Sequence, residues 1–100
     1  MSVIAIHPGE HLAGELRELG MRAAELAHRL GVPTNRITGI LNGRRTITGD
    51  TALPLAHFFG TSAEFWLNLQ SLYETWVAWR RLGARIRALP TLKRVERSLA

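Results

Sequence analysis

The sequence contains no cysteine, and that absence excludes several classes of protein. Disulfide scaffolds, thiol enzymes and cysteine-based zinc fingers all need thiol side chains. Long apolar runs are lacking as well. None approaches the ~20 residues of a transmembrane helix, and no signal peptide is recognised at the start of the chain. We therefore expect a cytoplasmic protein that does not associate with a membrane.

Acidic residues are scarce too, and the charge balance favours an anionic partner. The 100 residues carry 13 basic against 8 acidic side chains, a formal net charge of +5. Such an excess is most often met in proteins that bind nucleic acid, although it says nothing about the fold. The 46% of apolar residues are enough for one globular domain with a small core, which dimerisation would stabilise further.

The spacing of apolar residues, together with glycines at the predicted helix ends, predicts an all-α fold of five helices without a sheet. A glycine stands where a left-handed residue would end each of the first four helices, at Gly20, Gly31, Gly43 and Gly60. The predicted helices run from Pro8 to the first of these glycines, over 23–30, over 33–42, between 48 and 59, and from 61 towards Pro90. Their predicted inward residues are Leu12, Leu16, Leu19; Leu26, Ala27, Leu30; Ile37, Ile40, Leu41; and Leu53, Ala56, Phe59.

The fifth predicted helix is the longest and carries a regular apolar stripe. Thr61 and Glu64 have the spacing of a capping box at its start. Trp66, next to the stripe, is predicted to lie in the core. Apolar residues recur at steps of 4, 3, 4 and 3, the spacing of a helix–helix seam, at Phe65, Leu69, Leu72, Trp76 and Trp79. A weaker continuation passes through Leu82, Ile86 and Leu89.

The second and third predicted helices, Ala23–Asn42, have the pattern of a helix-turn-helix. Ala27 is small where the two helices approach closely, and Gly31 stands where the turn needs a positive φ. In this motif the second helix is left free to enter a major groove. The alternative interpretation is an ordinary αα-hairpin within a bundle.

Charge around the third helix favours DNA binding. No acidic residue lies between Glu25 and Asp50, whereas arginines occur at 29, 36, 44 and 45. Short polar side chains can reach base edges, and arginine can contact guanine or phosphate. The alternative interpretation is that this side of the third helix is an ordinary polar face exposed to solvent. The candidate DNA-binding residues are Thr34, Asn35, Arg36, Thr38, Arg44 and Arg45.

Segments spread over residues 7–80 match a known family in order and spacing. They are HPGEHL at 7–12, ELAHRLGVP at 25–33, RITGILNGRRTIT at 36–48, DTALPLAHFFGTSAEFWLNLQ at 50–70, and Tyr73. In these segments the chain resembles HigA-type antitoxins of toxin–antitoxin modules, within the Xre or lambda-repressor-like helix-turn-helix superfamily. The resemblance implies a homodimer that binds double-stranded operator DNA and represses its own operon. It also implies neutralisation of a small basic toxin, a RelE-like, HigB-type mRNA interferase, and it implies no cofactor.

Four residues depart from that family pattern. Arg22 and Ala23 stand where the family commonly has Ser and Gln, so a side-chain cap and one phosphate contact are lost. Gly39 removes a possible base contact from the third helix and costs about 1 kcal/mol of helix propensity relative to Ala. Pro54 removes one backbone hydrogen bond, which predicts a late start or a kink in the fourth helix. We expect the fold to survive and the operator contacts to be altered.

The remaining motifs suggest interfaces rather than catalysis. Exposing large aromatic side chains to water is unfavourable, which predicts a dimer or partner interface at Leu72, Trp76, Trp79 and Arg80. The arginines at 80, 81, 85 and 87 are interpreted either as a solvated helix end, where cations suit the helix dipole, or as an auxiliary DNA or RNA contact. Acidic residues on the first two helices are a candidate docking surface for a basic toxin: Glu10, Glu15, Glu18 and Glu25.

A histidine motif near the start of the chain has two interpretations, metal binding and helix initiation. His7, Glu10 and His11 match the H-x-x-E-H signature of inverted zincins. Because no third ligand is evident and the motif opens a helix, we interpret it as helix initiation, with no metal and no enzyme activity. The predicted organisation is a helix-turn-helix domain over 1–90 and a basic tail over 91–100. The alternative function is a stand-alone Xre-type transcriptional regulator without a toxin partner.

Overall fold

The computed structural model describes residues 5–93, and this part of the chain forms five α-helices and no strand. The helix bounds agree closely with the predicted ones, which confirms the all-α fold. The last helix has 26 residues, so it is about 39 Å long. Within the described part, no helix is both long and apolar enough to cross a bilayer. The helices are α1 (Pro8–Leu19), α2 (Ala23–Leu30), α3 (Thr34–Leu41), α4 (Gly49–Phe59) and α5 (Ala63–Ala88).

All five helices, and the loop between α3 and α4, contribute to one hydrophobic core. Trp66 is 1% exposed, which confirms its predicted place in the core. Its indole N–H donates to the hydroxyl of Thr61 at 2.9 Å, so the buried polar atom is satisfied. The other buried apolar residues are Leu12, Leu16, Leu26, Ala27, Ile37, Ile40, Ile47, Ala52, Leu55 and Ala56.

Two residues that were predicted to be buried, Leu53 and Leu19, are exposed instead. Leu53 is 65% exposed because the inward face of α4 runs through Ala52, Leu55 and Ala56, and Leu53 lies about 100° away around that helix. Leu19, the last residue of α1, is 53% exposed. Met21, just past the turn at the end of α1, packs against the core instead.

The start of α5 also differs from the prediction. Ser62 is the N-cap, and its Oγ accepts from the backbone N–H of Phe65 at 3.0 Å. A capping side chain bonds two or three residues onward, so a helix beginning at Ala63 excludes the predicted box of Thr61 with Glu64. At its other end α5 stops at Ala88, before Pro90 as predicted. Most of the predicted basic tail lies at 94–100, outside the described residues.

Pro54 is accommodated inside α4 without delaying it. The helix begins at Gly49, directly after Thr48, so the expected late start is wrong. The missing N–H of Pro54 leaves the carbonyl of Asp50 without its helical partner. Because Asp50 is an exposed residue, water can take that place.

The first turn of α1 packs tightly against the end of α3. Pro8 and Gly9 are buried, and a Cβ at position 9 would overlap the carbonyl oxygen of Ile40. The N–H of Gly9 donates to Nδ1 of His7 at 2.8 Å, so the histidine caps the helix. The motif therefore begins α1 and lets it approach α3 closely.

Candidate nucleic-acid interface

The second and third helices meet across Gly31 in the geometry of a helix-turn-helix. Gly31 has φ 70°, in the left-handed region. The next residue, Val32, returns its N–H to the carbonyl of Ala27 at 3.0 Å, and Ala27 is fully buried. Ile37 and Ile40 turn one face of α3 into the core. The opposite face of α3 is consequently available to a partner.

The predicted DNA-binding residues lie on α3 and on the loop that follows it. Thr34 and Asn35 are exposed in the first turn of α3, and Arg36 and Thr38 are half-buried. The hydroxyl of Thr38 donates to the carbonyl of Asn35 at 3.4 Å. Arg44 and Arg45 are exposed just beyond Gly43, which has φ 76°.

The loop between α3 and α4 is held at both ends by hydrogen bonds. The N–H groups of Arg44 and Arg45 both donate to the carbonyl of Gly39, at 2.8 and 3.0 Å. Further along, the N–H of Ile47 donates to Oε1 of Gln70 at 2.8 Å, in a buried position. The sequence analysis missed Gln70. The feature that could have identified it is the position of a polar residue one turn after the core residue Trp66, on the inward face of α5.

A polar crevice opens between α3 and the start of α4. It has a volume of about 260 Å³ and contains side chains from both helices and from the intervening loop. Two guanidinium groups and several hydroxyls are present, which are groups that proteins use to contact phosphate. The lining residues are Arg36, Arg45, Thr46, Thr48, Asp50 and Thr51.

The arginines at the two ends of α2 differ in their contacts. Arg22 occupies the N-cap position and makes no side-chain capping bond, as predicted. Arg29 lies 3.3 Å from the carboxylate of Glu25, one turn earlier, so this arginine is partly neutralised. Among Arg29, Arg36, Arg44 and Arg45, the ion pairs of the described residues include only Arg29.

A separate apolar groove runs along α5. It has a volume of about 410 Å³, and Leu72 and Trp79 remain 63% and 49% exposed. Arg80 lies over the ring of Trp76, with its Cζ 5.0 Å from the centroid. The sequence analysis missed Ala5 and Ile6, because the segment before α1 carries no helical period. The principal lining residues are Ala5, Ile6, Leu69, Leu72, Trp76 and Trp79.

The histidines of α1 are occupied by local contacts. Burial lowers the pKa of His7 below its ordinary value, and the carboxylate of Glu10 opposes this. The ring of His7 meets Tyr73 edge-on at 4.9 Å, and His11 lies 3.5 Å from Glu15. Among residues 5–93, no three histidine or acidic side chains are grouped as a metal site.

Comparison with known proteins matches the fold found here. A family model described as helix-turn-helix matches residues 14–66. Virulence-associated protein I of Dichelobacter nodosus is 48% identical over 71 residues, which cover 70% of this chain and 66% of that protein. The chain spans less than two thirds of the length of the first curated relatives that it matches, between 62% and 66%.

Solved structures match over more of their length. An addiction-module antidote protein of a HigA family from Coxiella burnetii superposes with a TM-score of 0.87 at 53% identity, covering 91% of this chain and 100% of that one. The Pseudomonas aeruginosa antitoxin HigA, solved with the higBA promoter, superposes with a TM-score of 0.83 at 39% identity. That match covers 88% of this chain and 98% of the other.

Proposed function

The chain belongs to the Xre-like helix-turn-helix family, with HigA-family antidote proteins as its structural neighbours, and from this premise we propose that it is an antitoxin that also represses its own operon. The family consists of non-enzymatic DNA-binding proteins. The observation that carries the DNA-binding part of the proposal is the outer face of α3, whereas the antitoxin part is supported by the similarity to HigA-family proteins. This face of α3 is polar, directed away from the core and followed at once by two exposed arginines.

The DNA-binding part of the proposal uses two copies of α3. In a dimer the two helices enter successive major grooves of a palindromic operator, about 34 Å apart. Thr34, Asn35, Arg36 and Thr38 contact base edges, and arginines of the following loop supply the salt-dependent attraction to phosphate. The structure of the Pseudomonas aeruginosa antitoxin HigA with the higBA promoter supports this part of the proposal.

The dimer is proposed to form through α5. Exposed Leu72 and Trp79 lie together in the groove with half-buried Trp76, and leaving such side chains in water is unfavourable. A second copy would cover both grooves at once about a two-fold axis, with each α5 lying on the other. Arg80 would border the covered surface through its contact with Trp76.

Toxin neutralisation is proposed to use a different surface. Glu10, Glu15 and Glu18 lie around one depression on α1, where three carboxylates outnumber the single guanidinium group of Arg17. A toxin that acts on mRNA is expected to be basic, so these carboxylates are complementary to it. The proposed toxin is a HigB-type mRNA interferase, and both partners would meet in the cytoplasm.

Co-expression tests the proposal. The neighbouring reading frame would be expressed alone and together with this chain, followed by purification through a tag on this chain. The expected result is growth arrest by the neighbour alone, relief by this chain, and a stable complex. If the chain binds a specific DNA sequence but neither relieves toxicity nor forms a complex, it is a stand-alone Xre-type regulator. Absence of both activities contradicts the whole proposal.

A further inference from the structure

We propose that Arg45 reads a base pair from the surface of α3, in the space that Gly39 leaves open, whereas Arg44 contacts only the DNA backbone. This inference rests on the proposed operator binding and refines it: of the two loop arginines assigned above to phosphate attraction, Arg44 keeps that role and Arg45 takes part in base readout. It makes Gly39 a positioning residue and Arg45 a determinant of sequence specificity.

The side chain of Arg45 lies directly on the backbone of the third helix. A Cβ built on Gly39 would stand 3.0 Å from Cδ, 3.1 Å from Cγ and 3.4 Å from Cβ of Arg45. The backbone N–H of Arg45 also bonds the carbonyl of Gly39, at 3.0 Å. Side chain and backbone of Arg45 are therefore both placed relative to one residue of α3.

This contact brings a loop residue onto the face of α3 that is proposed to meet DNA. Asn35 and Arg36 precede Gly39 by four and three residues, so they share its side of the helix. Arg36 and Arg45 also line the same polar crevice. The bare position in the middle of α3 is thus filled by an arginine from the following loop.

The two loop arginines differ in what fixes them. Arg44 bonds the carbonyl of Gly39 through its backbone N–H at 2.8 Å, but it is the side chain of Arg45 that fills the space above that glycine. A guanidinium group reads guanine through two parallel hydrogen bonds to O6 and N7, which requires a set direction. An arginine whose stem rests on the helix loses less conformational freedom on binding than a free one.

The Gly39→Ala substitution is expected to alter base recognition without destabilising the fold. The added methyl group would stand 3.0–3.4 Å from Cβ, Cγ and Cδ of Arg45, so the stem of this exposed side chain must shift by a few tenths of an ångström, which also redirects its guanidinium group. The same substitution improves helix propensity, so the fold should be as stable as before or more stable. Gly14→Ala is the matched control. It is also a glycine within a helix, and its added Cβ meets only an ordinary contact at 3.8 Å.

The experiment uses duplexes that the wild-type protein selects from a random pool, with each base pair then replaced in turn. Arg45→Ala should lose a discrimination of about 10-fold to 100-fold at one base pair of each half-site. Gly39→Ala should lose discrimination at the same base pair while its melting temperature stays equal or rises. Arg44→Ala should weaken binding to all duplexes by a similar factor and keep the sequence preference.

The outcomes separate this inference from the proposed function. If Arg45→Ala weakens all duplexes equally, or if Gly39→Ala discriminates as well as Gly14→Ala does, the assignment of Arg45 is wrong although operator binding stands. If the wild-type protein selects no sequence at all, the proposed operator binding fails, and this assignment fails with it.

Discussion

The backbone N–H of Ile47 donates to the side-chain oxygen of Gln70 at 2.8 Å, and both residues are almost fully buried. Ile47 belongs to the loop that carries Arg44 and Arg45, whereas Gln70 lies on the helix that carries the apolar groove. Gln70 also donates to the carboxylate of Glu74 at 2.9 Å, which orients its amide. One amide therefore joins the proposed DNA-binding loop to the proposed dimer helix.

Gln70→Leu removes this link and leaves the buried N–H of Ile47 without its acceptor. We expect a loss of about 1–3 kcal/mol in the free energy of unfolding, the usual penalty for a buried unsatisfied donor. Chemical denaturation measures the loss. Asn68→Ala removes an exposed amide from the same helix and is expected to change stability little. Equal stability of the two variants would show that the Ile47 bond contributes nothing.

Gly9→Ala tests the contact between α1 and α3. The new Cβ would overlap the carbonyl oxygen of Ile40, which is backbone and cannot rotate away. We expect a destabilisation of about 1–3 kcal/mol, because the two helices must separate to admit the methyl group. Thermal unfolding would detect it as a lower melting temperature. Gly14→Ala, on the open side of the same helix, is expected to raise that temperature.

The cap formed by His7 predicts a stability that depends on pH. Nδ1 of His7 accepts the N–H of Gly9, which requires the neutral ring, and burial holds its pKa below the value of 6.5 in the unfolded chain. Between the two pKa values the unfolded chain binds more protons. The contribution of His7 to folding is therefore complete above about pH 6.5 and is lost as pH falls through the folded pKa.

Unfolding curves measured from pH 7.5 downwards would show this loss, and His7→Asn isolates it. Asparagine retains a capping oxygen but does not titrate, so the slope of stability against pH should become shallower. His57→Asn, which changes an exposed histidine on α4, is measured beside it as the matched control. A slope that His7→Asn does not alter would rule out the cap as its source.

The sequence was most informative about the ends of the first helices, where glycine is a local signal. The left-handed glycines end α1, α2 and α4 as predicted, because the need for positive φ is expressed within a few residues. Leu53 and Leu19 were placed wrongly because burial depends on the neighbouring helices, and an apolar residue at the edge of the stripe satisfies the same period.

The candidate site was only partly predictable for the same reason. The polar residues of α3 follow from the helix-turn-helix pattern and from the surrounding charge. Gln70 and the stacking of Arg45 on Gly39 depend on tertiary approach, over 23 residues in the case of the Ile47–Gln70 bond. A glycine in the sequence indicates that space is available beside the helix, but it does not indicate which side chain fills that space.

The apolar groove on α5 gives the last prediction, a loss of dimerisation by Leu72→Glu. Leu72 is 63% exposed beside Trp76 and Trp79, so a charge at its position remains solvated in a single chain. In a dimer closed through this groove the same charge would be buried without a partner, which is strongly unfavourable. Sedimentation velocity should therefore show a dimer for the wild-type protein and a monomer for the variant.

The matched control is Leu53→Glu on α4. Leu53 is 65% exposed, almost the same as Leu72, but it lies outside the groove. The Leu53→Glu protein should remain dimeric. Both variants should keep the wild-type melting temperature at concentrations where the protein is monomeric. Because a palindromic site is bound by two linked copies, Leu72→Glu should also weaken operator binding, whereas Leu53→Glu should not. A Leu72→Glu protein that stays dimeric would place the dimer interface on another face of the molecule.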